Sequence, residues 1–306
     1  MGRRRVALVA AVVAALLAAG CSGSGGAAGD RDGDRRLRVV ATTTQVADLA
    51  TNVGGDRVRV TGLLKPGIDA HDYEPSPADI DAIAHADLVL ENGVGLEAWL
   101  GDTIDGSGFD GPVVDTSQGV RLRMVEGAPD PHIWQDPGNA ERMAANIERG
   151  LAAAEPSAAG AFRANLAAYT KDLRALDAEV QRQVDSLANR KVVTDHDAFG
   201  YYLDRYGLEL VGSVIPSFDS SAELSGRDIR DLVAKVRATG VKAIFSETTL
   251  PPRAAETIGR EAGVKVVTGD DALYGDSLGP PGSDGDTYLK TIRHNTATIV
   301  GNLSGT

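Results

Sequence analysis

Residues 162–187 read FRANLAAYTKDLRALDAEVQRQVDSL, a stretch that neither glycine nor proline interrupts. Its apolar residues recur every three or four positions, the spacing of one face of an α-helix. They are Phe162, Leu166, Tyr169, Leu173, Leu176, Val180, Val184 and Leu187. Such a helix would extend roughly 40 Å, enough to cross a whole domain. A core helix or a coiled-coil arm would show a similar stripe, but this stripe is brief for a coiled coil, so we interpret it as a rigid strut.

On the N-terminal side of this helix, short β-branched runs alternate with helical patterns, which is typical of a parallel sheet covered by helices. The predicted strands are 38–41, 58–61, 88–90 and 113–114. A helix is predicted to begin after Ser76, because Ser76 can cap it, Pro77 suits its first turn and Asp79 can return a bond to the cap. We expect this first α/β lobe to span residues 37–156.

The C-terminal side repeats the pattern. Its predicted strands are 192–194, 210–214, 243–245 and 264–267. Ser225 and Asp228 offer a second capping box between them. We expect the linking helix at residues 157–190 and the second lobe at residues 191–306. The predicted fold class is therefore α/β, with two lobes, each a mainly parallel sheet covered by helices, joined by one long rigid helix.

The N-terminus predicts the compartment. Arginines at positions 3–5 precede an apolar run at 6–19, the length of a signal-peptide core and too short to span a bilayer. The run ends in Leu-Ala-Ala-Gly before Cys21, which resembles a bacterial lipobox. We predict a signal peptide at 1–20, a lipidated Cys21, and a flexible tether at 21–36 that is rich in glycine, serine and charge. The protein would be extracytoplasmic, anchored to the cell membrane by lipid, or periplasmic.

Cys21 is the only cysteine of the chain. A lone cysteine is often a buried core residue, but this one follows a signal-like apolar run. Its isolation excludes intrachain disulfides, Cys-x-x-Cys redox pairs and thiolate zinc clusters. Any metal site must therefore use imidazole and carboxylate ligands.

Acidic side chains outnumber basic ones. Without the three arginines of the predicted signal peptide, the chain has 28 basic and 43 acidic side chains, which gives a net charge of −15 with histidine neutral. Such a surface repels nucleic acid and anionic lipid, so we expect no nucleic-acid partner. The sequence has no second apolar stretch of membrane-spanning length. We expect a monomer that reaches the membrane through its lipid anchor.

Three of the five histidines lie where loops are predicted to leave strands. His71 lies in the turn-rich stretch KPGIDAHDYEP, His132 lies between prolines, and His196 follows the strand at 192–194. Loops from neighbouring parallel strands converge, and ligands bind there. We therefore expect the three imidazoles to face one cleft, where neutral ring nitrogens can bind zinc.

Nearby carboxylates are candidates to hold the second ring nitrogens and so fix the tautomers. They are Asp72, Asp136 and Asp197. Glu247, at the end of a predicted strand, is a further candidate to line the cleft. Taken singly, each histidine is better explained as a partly buried residue bonded to the backbone. His85 and His294 lie within helical patterns, and we assign them structural roles.

Four stretches, in order along the chain, resemble a known family: the metal-binding receptors of zinc and manganese ABC transporters, often called cluster A-I or cluster 9 solute-binding proteins. The stretches are HDYEPSP at 71–77, DPHIWQDP at 130–137, HDAFGY at 196–201, and LYGDSL at 273–278 with YL at 288–289 and RHN at 293–295 behind it. The resemblance runs from about Leu37 to Leu303, and four ordered motifs are far more specific than any one of them.

The resemblance implies four metal ligands, one from each stretch. They are His71, His132, His196 and Asp276. It also implies two α/β lobes joined by one long helix, and delivery of the metal to an ABC transporter permease. Three imidazoles and a carboxylate suit zinc, whereas manganese prefers more oxygen ligands. Relatives that resemble manganese receptors tend to carry glutamate at the third position, where this chain has His196, so we expect zinc, with manganese as the alternative.

One feature departs from many zinc receptors of this family. They carry a long loop rich in histidine and aspartate before the second ligand, but residues 119–130 contain no histidine. Delivery of zinc by a metallochaperone therefore stays open. Because the imidazoles must be neutral to bind, we expect affinity to fall below about pH 6.5.

Two other functions compete with the receptor. A zinc-dependent hydrolase can also use three histidines and a carboxylate if one coordination position stays open to water. The chain has no His-Glu-x-x-His helix and no evident general base beside the candidate ligands. A surface adhesin lipoprotein with incidental histidines would have no tight one-to-one metal site.

Overall fold

The computed structural model describes residues 36–304, so the predicted signal peptide, Cys21 and the tether up to residue 35 lie outside the described residues. The helices and strands are β1 (Leu37–Ala41), α1 (Thr44–Gly54), β2 (Val58–Gly62), α2 (Pro77–Ala84), β3 (Leu88–Glu91), α3 (Leu100–Ser107), β4 (Val113–Asp115), β5 (Met124–Val125), β6 (Ala128–Pro129), α4 (Pro137–Ala154), α5 (Ala159–Asp185), β7 (Lys191–His196), α6 (Gly200–Tyr206), β8 (Glu209–Ile215), α7 (Gly226–Thr239), β9 (Ala243–Phe245), α8 (Arg253–Ala262), β10 (Lys265–Val267) and α9 (Tyr288–Leu303).

Two separate four-stranded sheets carry the fold, and every strand pair within them is parallel. The first has the order β2-β1-β3-β4 and the second the order β10-β9-β7-β8. We call residues 37–156 the first lobe and residues 191–304 the second lobe, with the bounds taken from the sequence prediction. The predicted fold class, two α/β lobes and a long helix, is confirmed. The lobe boundaries at residues 156 and 190 stay predictions.

The strands form because their β-branched runs are buried between helices. In β1 and β3, Val39, Val40, Leu88 and Val89 are almost fully buried. In the second sheet, β7 runs to His196, two residues beyond the predicted strand, and His196 pairs with Ile215 of β8. His196, a candidate ligand, is therefore the last residue of β7, and the pairing of β7 with β8 fixes the position of its backbone.

The long helix α5 has 27 residues and buries the predicted stripe from Phe162 to Val184, with Leu166 half-buried. Leu187 is buried just beyond its end. The helix packs against α1 and α4, and also against α6 and α9. Helix α5 thus contacts helices of both lobes, as expected of a helix that connects them. The rigidity of α5 stays a prediction.

The predicted start of α2 is confirmed. Ser76 accepts a hydrogen bond from the Asp79 backbone, and the Asp79 carboxylate accepts from the Ser76 backbone. The Tyr73 hydroxyl also donates to Asp79 Oδ2, at 2.7 Å, so the cap holds the end of the loop that carries His71. None of the helices within residues 36–304 has the length and apolar character needed to cross a bilayer.

Candidate metal centre

Four side chains predicted as metal ligands meet in one place. His71, His132, His196 and Asp276 each present a ligand atom, and these atoms all lie within 4.8 Å of one another. The Nε2 atoms of His71 and His132 are 3.1 Å apart. Asp276 Oδ1 lies 3.3 Å from His132 Nε2, and Asp276 Oδ2 lies 3.2 Å from His196 Nε2 and 3.7 Å from His71 Nε2.

The strand topology explains this convergence. His71 lies in the loop after β2, His196 ends β7, and Asp276 lies in the loop after β10. Loops that leave the carboxyl ends of parallel strands lie at one edge of their sheet, so His196 and Asp276 gather at this edge of the second sheet, and His71 lies at the corresponding edge of the first. Asp69 Oδ1 accepts a hydrogen bond from the His71 backbone nitrogen at 2.9 Å and so shapes the first of these loops.

His132 is oriented by Asp130. Asp130 Oδ1 accepts from the His132 backbone nitrogen at 3.0 Å and lies 2.8 Å from His132 Nδ1. Both side chains are fully buried. The carboxylate therefore places the proton on Nδ1 of a neutral ring and turns Nε2 toward Asp276.

His196 is oriented by Glu247 in the same manner. Glu247 Oε1 accepts from the His196 backbone nitrogen at 3.0 Å and lies 2.8 Å from His196 Nδ1. Glu247 follows β9, the neighbour of β7, and the Asp195 carboxylate accepts a hydrogen bond from its backbone nitrogen. Adjacent strands thus supply the ring and its carboxylate.

The other expected carboxylates lie elsewhere. Asp136 caps α4 by accepting from the Gly138 backbone at 2.7 Å, because Pro137 begins a helix at that point. Asp197 Oδ1 lies 3.5 Å from the Arg123 guanidinium, and Asp72 is exposed. The rings of His132 and His196 are held instead by Asp130 and Glu247. The sequence did carry a signal for Asp130, since Asp-x-His favours a turn in which the carboxylate bonds two residues ahead.

The loop that carries Asp276 is held by the segment that carries His132. The Trp134 indole and the Gln135 amide both donate to the Gly275 carbonyl oxygen, each at 3.2 Å. A β-carbon on Gly275 would overlap the Glu247 carboxylate, so this position needs glycine for space. Residues from both lobes therefore fix Asp276.

The pKa values of the candidate ligands are shifted in different directions. Burial opposes protonation of His132, but the Asp276 and Asp130 carboxylates prevail and raise its pKa to about 9. Burial likewise opposes protonation of His196, yet Glu247 and Asp276 raise its pKa well above the ordinary value. Burial would raise the pKa of Asp276, but His196 and His132 hold it well below the ordinary value. Burial lowers the pKa of His71, against the pull of Asp276.

The buried polar atoms at the centre fit a cation. Within residues 36–304, His196 Nε2 and both carboxylate oxygens of Asp276 form no hydrogen bond of good geometry, and their polar neighbours, 3.2 to 3.7 Å away, are the other candidate ligand atoms. Buried polar groups normally have partners, and orphaned ones call for a bound species. Three imidazole nitrogens around a carboxylate form a donor set suited to a divalent transition metal.

The remaining histidines lie away from this centre. His85 follows the last residue of α2, is exposed, and its Nδ1 lies 2.8 Å from the Asp81 carbonyl oxygen. His294 lies within α9, and its Nε2 lies 3.0 Å from the Ala272 carbonyl oxygen. Both contacts are to the backbone, as expected of structural histidines.

Comparison with known proteins gives consistent matches over nearly all of the described chain. The manganese-binding lipoprotein MntA of Bacillus subtilis (strain 168) is 33% identical over 280 residues, which cover 88% of this chain and 90% of that protein. The zinc-binding protein TroA of Treponema pallidum (strain Nichols) is 32% identical over 288 residues, 91% of this chain and 93% of that protein. The solved structure of periplasmic zinc-binding protein TroA from Treponema pallidum has a TM-score of 0.82 at 30% identity, covering 88% of this chain and 99% of that one. A family model also matches residues 39–302, and the chain therefore belongs to the family described as zinc-uptake complex component A, periplasmic (ZnuA).

Proposed function

We propose that this protein binds one divalent transition-metal ion as cargo and delivers it to the permease of an ABC importer. The ligands are those that meet at the candidate metal centre, His71, His132, His196 and Asp276. The observation that carries the proposal is the convergence of their ligand atoms within 4.8 Å around the buried Asp276 carboxylate, whose two oxygens lie 3.3 Å from His132 Nε2 and 3.2 Å from His196 Nε2.

Zinc is the proposed cargo, ahead of manganese. Three nitrogens and one carboxylate match the ligands that zinc prefers, and His196 supplies nitrogen where an oxygen ligand would favour manganese. Relatives are named for either metal, MntA for manganese and TroA for zinc. Competition between zinc and manganese for the metal-stripped protein decides this point, and tighter manganese binding would reverse the assignment.

The proposed location is the outer face of the cell membrane, with a lipid on Cys21 as anchor. Family relatives are named as lipoproteins, which supports this location. Metabolic labelling with a fatty-acid analogue should mark the wild type and leave Cys21→Ala unmarked. We further propose a monomer as the unit that docks on the permease.

We propose binding without catalysis. The family consists of solute-binding proteins of ABC transporters and is not an enzyme class. A catalytic zinc needs a coordination position open to water, whereas His132, His196 and Asp276 are fully buried. Zinc-loaded protein should leave ester and peptide substrates intact, and turnover that depends on zinc would support the hydrolase instead.

The central test is titration of metal-stripped protein with zinc. The wild type should bind one ion, and His132→Ala or His196→Ala should weaken binding at least about 100-fold, beyond the loss typical when an outer partner of a ligand is removed. His85→Ala and His294→Ala are the matched controls, and they should bind as the wild type does. Equal losses in all four variants, or no tight one-to-one site in the wild type, would contradict the proposal.

A further inference from the structure

Arg123 is not a candidate ligand, yet it lies directly behind the metal centre. It precedes β5, its carbonyl oxygen accepts from the Asp130 backbone nitrogen at 2.9 Å, and its side chain is only 19% exposed. Asp130 is the residue that orients His132. Arg123 is thus a half-buried cation one step removed from a candidate ligand.

The guanidinium of Arg123 contacts carboxylates of both lobes. Its Nη1 lies 3.0 Å from Asp130 Oδ2 of the first lobe and 3.5 Å from Asp197 Oδ1 of the second. Its Nε lies 3.4 Å from Asp204 Oδ2, on α6 of the second lobe. The planar fork of arginine can hold several carboxylates at once, which a lysine ammonium does poorly.

Further contacts join the same elements. The Tyr201 hydroxyl of the second lobe accepts a hydrogen bond from the Arg123 backbone nitrogen and donates one to the Asp130 carbonyl oxygen, both at 2.9 Å. The ring of Phe218, also of the second lobe, lies 5.9 Å from the Arg123 guanidinium carbon and 6.2 Å from the His132 ring, between centroids. Arg123 and Asp130 are therefore enclosed by the second lobe.

Gly200 makes room for this arrangement. It is the first residue of α6, and a β-carbon there would overlap the Arg123 guanidinium. The φ angle of Gly200 is not in the left-handed region, so its backbone does not require glycine, and alanine favours helices more. A β-carbon would require the Arg123 guanidinium to move, so glycine leaves this side chain its place among the carboxylates.

We propose that Arg123 is a positioning residue that makes metal retention depend on contact between the lobes. Asp197 and Asp204 hold the guanidinium from the second lobe, the guanidinium holds Asp130, and Asp130 holds His132 in its binding orientation. Separation of the lobes would remove two of the three carboxylates from Arg123 and loosen His132. This inference rests on the proposed metal-binding function.

The experiment compares R123Q with R121Q, which removes the same charge from an exposed residue of the same loop. Zinc affinity is measured by chelator competition and zinc release by stopped flow. R123Q should raise Kd, mainly through faster release, by up to the roughly 10- to 100-fold loss typical when a direct outer partner of a ligand is removed, because Arg123 acts on His132 through that partner, Asp130. R121Q should change Kd by less than about twofold. R123K should recover only part of the loss, because it keeps the charge without the fork.

Gly200→Ala is the second, independent variant. It keeps Arg123 but displaces its guanidinium, so it should also speed zinc release, while the melting temperature of the metal-free protein should not fall. A merely structural role for Arg123 would lower that temperature in R123Q without changing release from the folded protein. Should R123Q fail to fold, G200A carries the test.

The connection between lobes is tested in a D197N/D204N background, where R123Q should have a much smaller effect on release than in the wild type. Additive effects would mean that Arg123 acts through Asp130 alone and would overturn the coupling. Wild-type zinc release in both R123Q and G200A, with normal binding by the unmodified protein, would overturn the proposal altogether. Failure of the unmodified protein to bind zinc would instead contradict the proposed function, and this inference with it.

Discussion

The imidazoles of His132 and His196 point at the same centre because a buried carboxylate holds each ring from behind. Asp130 lies two residues before its histidine, so the pairing is local and could have been predicted from the Asp-Pro-His motif. Glu247 lies 51 residues after His196, and only the pairing of β7 with β9 brings them together. Asp136 lies close to His132 in sequence, but its place before Pro137 makes it a helix cap.

Zinc affinity should depend on pH over a higher range than free histidine would suggest. The pKa of His132 is raised to about 9 and that of His196 is raised well above its ordinary value, so both rings retain protons at neutral pH when no metal is bound. Zinc must displace those protons, and affinity should therefore rise with pH through neutral toward pH 9. The sequence alone had suggested a fall only below about pH 6.5.

The measurement is zinc affinity across this pH range, together with calorimetry at neutral pH in buffers of different ionisation enthalpy. Binding should release about two protons, one from each raised histidine. Affinity that is constant above about pH 7, with no proton release, would show that the carboxylates do not hold the rings protonated.

Among the secondary-structure elements, the starts of the two helices with capping boxes were predicted best from the sequence. Both capping boxes, at Ser76 and Ser225, form as predicted, because a Ser-x-x-Asp pattern satisfies orphan backbone donors locally and needs no tertiary contact. The short hairpin of β5 and β6 was not predicted, since two-residue strands carry no periodicity. The apolar pattern also could not predict that α5 ends at Asp185. Leu187 is buried although it lies after the helix, so the spacing of apolar residues continues past the helix end.

Ser225→Ala should destabilise the protein by about 1 kcal/mol. The change removes the hydroxyl oxygen that accepts from the Asp228 backbone nitrogen and the hydroxyl group that donates to the Asp228 carboxylate. Urea unfolding of the metal-free protein measures this loss. Zinc affinity should stay unchanged, since neither residue contacts the metal centre. The exposed Ser304, at the end of α9, is the control, and Ser304→Ala should change the unfolding free energy by less than about 0.5 kcal/mol. Equal effects at both serines would contradict the role of the cap.

At the scale of the whole molecule, strand order decided what could be foreseen. The alternation of strands and helices predicts parallel sheets, and parallel sheets predict ligands at their carboxyl edges. That reasoning reaches His71, His132 and His196, but it does not select Asp276 among 43 acidic residues; only the resemblance of LYGDSL to a family motif did so. The sheet orders themselves arise from packing between distant segments and leave no local mark.

The lobes are fastened to one another at several points besides Arg123. Ser220 donates to Asp69 Oδ2 at 2.5 Å, and the Leu278 backbone nitrogen donates to Thr44 Oγ1 at 2.9 Å. The Gly67 backbone nitrogen donates to Ser277 Oγ, also at 2.9 Å. Two of these bonds join loops around the metal centre, and the bond to Thr44 joins the start of α1 to the segment after Asp276. Helix α5 packs against helices of both lobes.

Zinc binding should therefore move the lobes little. A helix of 27 residues that packs along both lobes resists the bending that a two-strand hinge would permit. Small-angle scattering should show a change in radius of gyration below about 1 Å between metal-free and zinc-loaded protein, as in other pre-organised complexes. His132→Ala with added zinc is the control for non-specific effects of the ion. A compaction of several ångströms in the wild type alone would mean that the contacts between the lobes break without metal, and that α5 acts as a hinge and not as a strut.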